Sequence, residues 1–275
     1  MCYQIALHLA LYMLKGTEHT GGKMNNLELE QHLNTLLNVH AIKDYCPNGL
    51  QVEGKAEIRT VITGVTASQA LIDRAIAAHA DAILVHHGYF WKGESEPVRG
   101  MKRRRLKALL SHDINLYAYH LPLDIAPELG NNAQLAALLG IDQLRPLEVG
   151  NAQSIPMWGE LAEPLTGPQL SARLTERLNS NIVQVSDTGP ELIRRVGLCT
   201  GGGQGYIELA AEQGMDAFIS GEISEQTVHV AREYGLHFFA AGHHATERYG
   251  VKALGEWLAS QHGLAVEFID IDSPA

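Results

Sequence analysis

Apolar residues along this chain gather into short unbroken runs, separated by stretches in which they recur at helical intervals. That alternation predicts parallel strands joined by helices. The run Ala82-Ile83-Leu84-Val85 has no polar alternation, as a strand buried on both faces requires, and it stops at His86-His87-Gly88. Before it, residues 60–63 open a strand and residues 64–68 turn the chain. Leu71, Ile72, Ala75 and Ile76 then repeat at helical spacing, with Ser68 as N-cap. His79 is expected in the last turn of that helix, where the dipole favours it. Downstream, residues 106–111 end another helix and residues 114–119 form a further apolar strand, which stops at His120-Leu121-Pro122-Leu123-Asp124. Strand, capped helix, strand is a βαβ unit, and open α/β sheets place ligands at the carboxyl ends of such strands.

The second half repeats this order. Residues 195–199 read as a strand, Thr200-Gly201-Gly202-Gly203-Gln204-Gly205 as a tight loop, 207–213 as a helix and 215–222 as a strand. A helix over 225–234 leads to a strand over 237–241, which ends in Gly242-His243-His244-Ala245-Thr246-Glu247. In this alignment Asp81-Ala82-Ile83-Leu84 falls on Asp216-Ala217-Phe218-Ile219, and His120 with Asp124 falls on His243 with Glu247. The expected fold class is α/β: two related α/β domains facing each other across a metal-containing cleft. Punctuation at 150–156 and 164–168 sets domains of 24–149 and 150–275, the C-terminal helix and strand being candidates for packing on the first. Residues 1–23 are unlike the rest. The apolar run over 3–14 is too short to span a bilayer, and Met24 looks like a second beginning, with Asn26 capping a helix over 27–37. We expect residues 1–23 to be an extension outside the fold.

Composition narrows the function. With 45% hydrophobic and 19% charged residues among 275, the chain is expected to fold without disorder. A net charge of −10 argues against a duplex nucleic-acid binder, and the cluster Lys102-Arg103-Arg104-Arg105 reads as a solvated helix face. Three scattered cysteines (Cys2, Cys46, Cys199) without a C-x-x-C suggest a reducing, cytoplasmic setting and no thiolate zinc site.

The 14 histidines matter through their clustering. His243 and Glu247, four residues apart at a helix start, share one face and can grip one cation. His86 and His87 point to opposite faces of a strand, but at a strand end they can serve two neighbouring ions. With Asp124 these make a donor set for two divalent cations, and zinc, iron and manganese all fit it. Such pairs sit roughly 3.5–4 Å apart in two-metal hydrolases and activate water at neutral pH. His120, directly after its strand, could be a ligand but reads better as orienting Asp124, and His244 reads as facing solvent or substrate. The side-chain candidates for a catalytic role are His120 and Glu94. Tyr89, Lys92 and Glu94 either contact substrate or pack their own loop or an oligomer interface. The loop from Gly201 to Gly205 matches neither phosphate-loop pattern, and reads as a tight turn or a backbone phosphate cradle.

Five motifs in order carry a family resemblance: Pro47-Asn48-Gly49-Leu50-Gln51-Val52, Thr63-Gly64-Val65-Thr66-Ala67-Ser68, His86-His87-Gly88, His120-Leu121-Pro122-Leu123-Asp124 and Gly242-His243-His244-Ala245-Thr246-Glu247. From Met24 onward the chain resembles the YbgI-like proteins, the GTP cyclohydrolase 1 type 2 homologues. The resemblance implies two α/β domains, a dinuclear metal centre at their interface and a toroidal homohexamer. Its metal ligands fall by position on His86, His87, Asp124, His243 and Glu247, with Glu247 as the bridge. The ferredoxin-like insertion of some members is absent near Gly150. The activity implied is metal-dependent hydrolysis of a nucleotide or related small molecule. The alternative is a non-catalytic metal-binding ring that stores or delivers metal or scaffolds a partner. A nucleic-acid clamp is disfavoured by charge.

Overall fold

The computed structural model describes residues 21–275, so most of the expected extension over residues 1–23 lies outside the described residues. A short strand β1 (Met24–Asn25) leads into helix α1 (Asn26–Leu36). Asn25, not Asn26, caps that helix, its side chain accepting from the Leu27 and Glu28 N–H groups. Asn26 is buried instead, donating to Asn115 Oδ1. Then follow β2 (Gly49–Val52), β3 (Glu57–Ile58), β4 (Thr60–Thr66), α2 (Gln69–Ala77), β5 (Ala82–His87), α3 (Gly100–Ser111) and β6 (Asn115–Ala118). Ser68 caps α2 as expected. His79 does not sit in the last turn of α2: it lies beyond the helix, in the left-handed conformation (φ 53°) that stops it.

A single helical turn, α4 (Leu121–Asp124), and helix α5 (Asn131–Leu139) lead away from β6. The second half runs β7 (Ile141–Pro146), β8 (Met157–Leu165), α6 (Gly167–Leu178), β9 (Val183–Val185), β10 (Ile193–Cys199), α7 (Ile207–Glu212), β11 (Ala217–Ser220), α8 (Glu225–Tyr234), β12 (His237–Ala240), α9 (His243–His262) and β13 (Ala265–Phe268).

Two mixed sheets result. The first has the order β13-β4-β5-β6-β2, parallel except for the edge strand β2, and the second has the order β7-β8-β10-β11-β12-β9, with β10, β11 and β12 parallel. β1 and β3 form a separate antiparallel pair. Strands change sheet between β6 and β7, and return at the end, when β13 pairs with β4. The unbroken apolar runs are explained by coverage on both faces. In the first sheet Val61, Leu84 and Tyr117 pack into one core, while Ile62, Ile83 and Leu116 pack into another. The second sheet does the same with Val196 and Ile219 against Phe218 and Phe238.

The repeat is visible in a detail. Asp81 Oδ2 accepts from the N–H groups of Arg59 and Thr60 at the start of β4, and Asp216 Oδ2 from those of Arg194 and Arg195 on β10. Each aspartate ties the entry of one parallel strand to the next. Among the described residues no helix is long and apolar enough to cross a membrane.

Helix α9 joins the halves. It begins where β12 ends in the second sheet, and its Val251, Leu254 and Leu258 are buried in a core of the first sheet. Its first turn therefore stands over the ends of β4 and β5, which delivers His243 and Glu247 to the histidine pair.

Candidate metal centre

His86 and His87 end β5, and the strand's alternation sends their rings in different directions. His86 is fully buried, and its Nδ1 donates to the Tyr119 carbonyl at 2.9 Å. A carbonyl only accepts, so that bond fixes the proton on Nδ1 and aims Nε2 inward. There Nε2 lies 3.5 Å from Asp124 Oδ1 and 3.4 Å from Glu247 Oε1. His87 has Nδ1 beside Thr66 Oγ1 at 3.3 Å and Nε2 3.3 Å from Glu247 Oε2. His243 Nε2 reaches the same oxygen at 3.2 Å, while its Nδ1 donates to Glu222 Oε1 at 2.7 Å.

Two triads thus share one carboxylate. His86, Asp124 and Glu247 form one, and His87, His243 and Glu247 the other, with the donor atoms of each within 4.8 Å of one another. The arrangement fits divalent cations on a specific observation. Glu247 Oε2 is buried and accepts no well-aligned hydrogen bond, although imidazole nitrogens stand on two sides of it at 3.2 and 3.3 Å. A buried carboxylate oxygen without a well-aligned donor is costly, and a cation removes that cost.

The electrostatics point the same way. Burial opposes charge on His86, yet Asp124 and Glu247 outweigh it and push its pKa up to about 9. Burial likewise opposes charge on His243, and Glu247 and Glu222 push it up to about 9. His87 goes the other way, down to about 3, through burial and the neighbouring His86. Glu247 is held well below the usual carboxylate range despite its burial, because His86, His243 and His87 surround it. Burial raises Asp124, with His86 acting against it.

The supporting side chains come from scattered positions. Asp124 Oδ1 accepts from Asn131 Nδ2 at 2.8 Å and from Thr200 Oγ1 at 3.3 Å, and Asn131 Oδ1 accepts the Gly250 N–H of α9. Sequence reasoning did not single out Asn131, Thr200 or Glu222 for this. Nor did it find Asp44, which corrects the reading of His120. His120 does not orient Asp124: its Nδ1 donates to Asp44 Oδ1 at 2.9 Å, and Asp44 Oδ2 accepts from Asn48 and from the Leu121 N–H. A donor atom of His120 also groups with those of His86 and His87, so this ring remains beside the centre.

Glu94 is not brought to the site. It accepts from the Trp91 N–H and pairs with Lys102 at 3.3 Å, so it closes its own loop. Tyr89 is buried with its hydroxyl donating to the Ala67 carbonyl, and the Lys92 N–H donates to the Tyr45 carbonyl; both connections hold the loop. His244 lines the pocket with Nε2 on Asp270 at 2.7 Å.

A pocket of about 730 Å³ opens over the centre. His87, His120, Asp124, His243 and Glu247 line its floor, together with Gly202 and Gly203 of the glycine loop.

Residues 24–274 match the family Duf34/NIF3 (NGG1p interacting factor 3). The chain belongs to that family. Its GTP cyclohydrolase 1 type 2 homolog from Haemophilus influenzae is 67% identical over 252 residues, covering 92% of this chain and all of the relative. The homolog of the same description from Escherichia coli is 60% identical over the same span and coverage. Among solved structures, protein ybgI superposes with a TM-score of 0.89 at 59% identity, covering 92% of this chain and all of that one. TTHA1606 from Thermus thermophilus does so with a TM-score of 0.83 at 35% identity and the same coverage. The Duf34/NIF3 match leaves the first 23 residues outside it.

Proposed function

We propose that this chain is a dinuclear metal-dependent hydrolase acting on a nucleotide or a related small molecule. The observation that carries the reading is Glu247, a buried carboxylate shared by two donor sets, with two imidazole nitrogens 3.2 and 3.3 Å from Oε2 and neither aligned to hydrogen-bond it. His86, Asp124 and Glu247 would hold one divalent cation, and His87, His243 and Glu247 the other; zinc, iron and manganese suit these donors. Such a pair supplies Lewis-acid polarisation of a substrate oxygen and activation of water near neutral pH.

The chain's own residues prepare that site. Tyr119 and Glu222 each hold one ring nitrogen of a histidine, so that the other is presented inward. Asn131 and Thr200 fix Asp124. His120, with Nδ1 on Asp44, leaves Nε2 as the nitrogen able to take or give a proton in the pocket. The name borne by the 67% identical relative supports a cyclohydrolase-like reaction. A homohexameric ring in the cytoplasm, which the resemblance to the YbgI-like proteins implies, completes the reading.

The test is metal analysis of the purified protein together with single-turnover assays over a panel of nucleotides. We expect two divalent ions per chain, and release of formate or phosphate that disappears in His87→Ala and Glu247→Ala. Tightly held metal with no turnover of any compound would instead support metal storage, delivery or scaffolding.

A further inference from the structure

The pocket has an aromatic wall that the hydrolase reading does not use. Tyr45 and Trp91 stand there with ring centroids 5.9 Å apart, and both pack edge-on against His120, at 5.0 and 4.9 Å. Trp91 also lies 6.0 Å from the His87 ring, so the aromatic wall runs directly into the metal-binding floor. The wall is fixed in place. The Trp91 indole N–H donates to the Gly88 carbonyl, and the Tyr45 carbonyl accepts from the Lys92 N–H, which ties the two aromatic segments together. Tyr45 nevertheless leaves 53% of its surface exposed at the pocket. Tyr206 lines the same pocket.

The charge around this wall is equally specific. Among the described residues no lysine or arginine lines the pocket, so positive charge there would come from the two cations alone. Triphosphates are commonly gripped by Arg or Lys along their length, and here two cations and the backbone of Gly202 and Gly203 would have to serve all three phosphate groups. A flat, uncharged ring system has the opposite needs: it gains from stacking and loses little on leaving water.

We infer that the pocket takes a planar heteroaromatic compound of the nucleobase or nucleoside class, its ring stacked on Tyr45 and Trp91 and its polar edge turned to the histidine floor, in preference to a nucleoside triphosphate. This narrows the substrate class of the hydrolase reading and rests on it for the role of the floor. With the Trp91 ring 6.0 Å from that of His87, a base stacked on this wall would lie beside the histidine floor.

Calorimetric titration of the metal-loaded protein with guanosine, adenosine, GTP and ribose 5-phosphate tests this, with metal content measured on every sample. At least one nucleoside is expected to bind about tenfold more tightly than GTP, and ribose 5-phosphate more weakly still. Trp91→Ala and Tyr45→Ala are each expected to weaken nucleoside binding about tenfold, with metal content unchanged, while Trp91→Phe and Tyr45→Phe retain most of it. Tighter binding of GTP than of both nucleosides overturns the inference, as does wild-type nucleoside affinity in both alanine variants. Two bound metals with no nucleoside binding sinks the inference and leaves the metal centre standing. Wall-dependent nucleoside binding in a protein that holds no metal sinks the hydrolase reading and supports the wall.

Discussion

Gly201 and Glu247 are packed so closely that a methyl group on Gly201 would overlap Glu247 Oε1. Gly201 also has a φ of 64°, a conformation that costs an L side chain roughly 1–2 kcal/mol. Its N–H donates to Thr246 Oγ1 and its carbonyl accepts from the Gly221 N–H, so the loop cannot easily retreat. The glycine loop therefore sets the position of the shared carboxylate from behind.

Gly201→Ala should consequently damage metal binding without altering a donor. We expect metal affinity to fall by about 10- to 100-fold, the usual effect of disturbing a group that orients a ligand. Titration with zinc against a competing chelator measures it. Wild-type affinity in this variant would show that the loop yields and that Glu247 is positioned by other contacts.

Glu222 should behave as a positioning residue for His243. Its Oε1 fixes the proton on His243 Nδ1, and without it the ring is free to turn its protonated nitrogen towards Glu247. Glu222→Ala is expected to lower metal content from two ions towards one, sparing the His86 side of the centre. Glu222→Gln, which still accepts through its amide oxygen, should retain more of the second ion. Equal loss in the two variants would argue for a purely electrostatic effect.

The histidine pair was legible because an apolar run that stops at two imidazoles is a local pattern, and His243 with Glu247 because a four-residue spacing is one too. The repeat was legible through Asp81 and Asp216, whose matching positions proved to have matching hydrogen bonds. Glu222, Asn131, Thr200 and Asp44 were not legible. Each is a lone polar residue whose partner lies 7 to 76 residues away, and single polar residues carry no periodicity. The edge strand β7 drew no strand expectation for a related reason. At an edge much of the strand faces solvent, as the exposed Asp142, Gln143 and Arg145 do, and the apolar run that marks a buried strand is missing. His120 was misassigned because sequence spacing favoured Asp124 four residues on, whereas the fold brings Asp44 to its other side.

Metal uptake should release protons and depend steeply on pH. With no cation present, the carboxylates hold His86 and His243 up to about 9, so both are protonated at pH 7. A cation must displace those protons, because only the unprotonated nitrogen is a ligand. Apparent affinity should therefore rise as pH increases from 6 to about 9 and level off above it. Calorimetry in buffers of different ionisation enthalpy counts the protons: we expect one to two released per chain at pH 7. Zero release would mean that the imidazoles are already neutral, contrary to the charge balance around Glu247.

The Asp44–His120 pair should make its own contribution to stability, with a defined pH window. Burial works against the Asp44 carboxylate, but His120, Asn48 and the Leu121 N–H outweigh it and bring its pKa down to about 2. A group whose folded pKa is depressed stabilises the fold above its unfolded value, near 3.9, and loses that contribution as pH falls through the folded value. The contribution is thus fully present at neutral pH, declines below about pH 4 and is gone near pH 2, with a size of about 2 kcal/mol. Asp44→Asn preserves shape while removing the charge, so it should lower stability by about 1–2 kcal/mol at pH 7 and by progressively less between pH 4 and pH 2. Urea denaturation of the two proteins across that range, with metal chelated in both, measures the difference. A gap that stays constant down to pH 2 would assign the role of Asp44 to packing and neutral hydrogen bonding, and the carboxylate charge would then not be what holds His120 against the pocket.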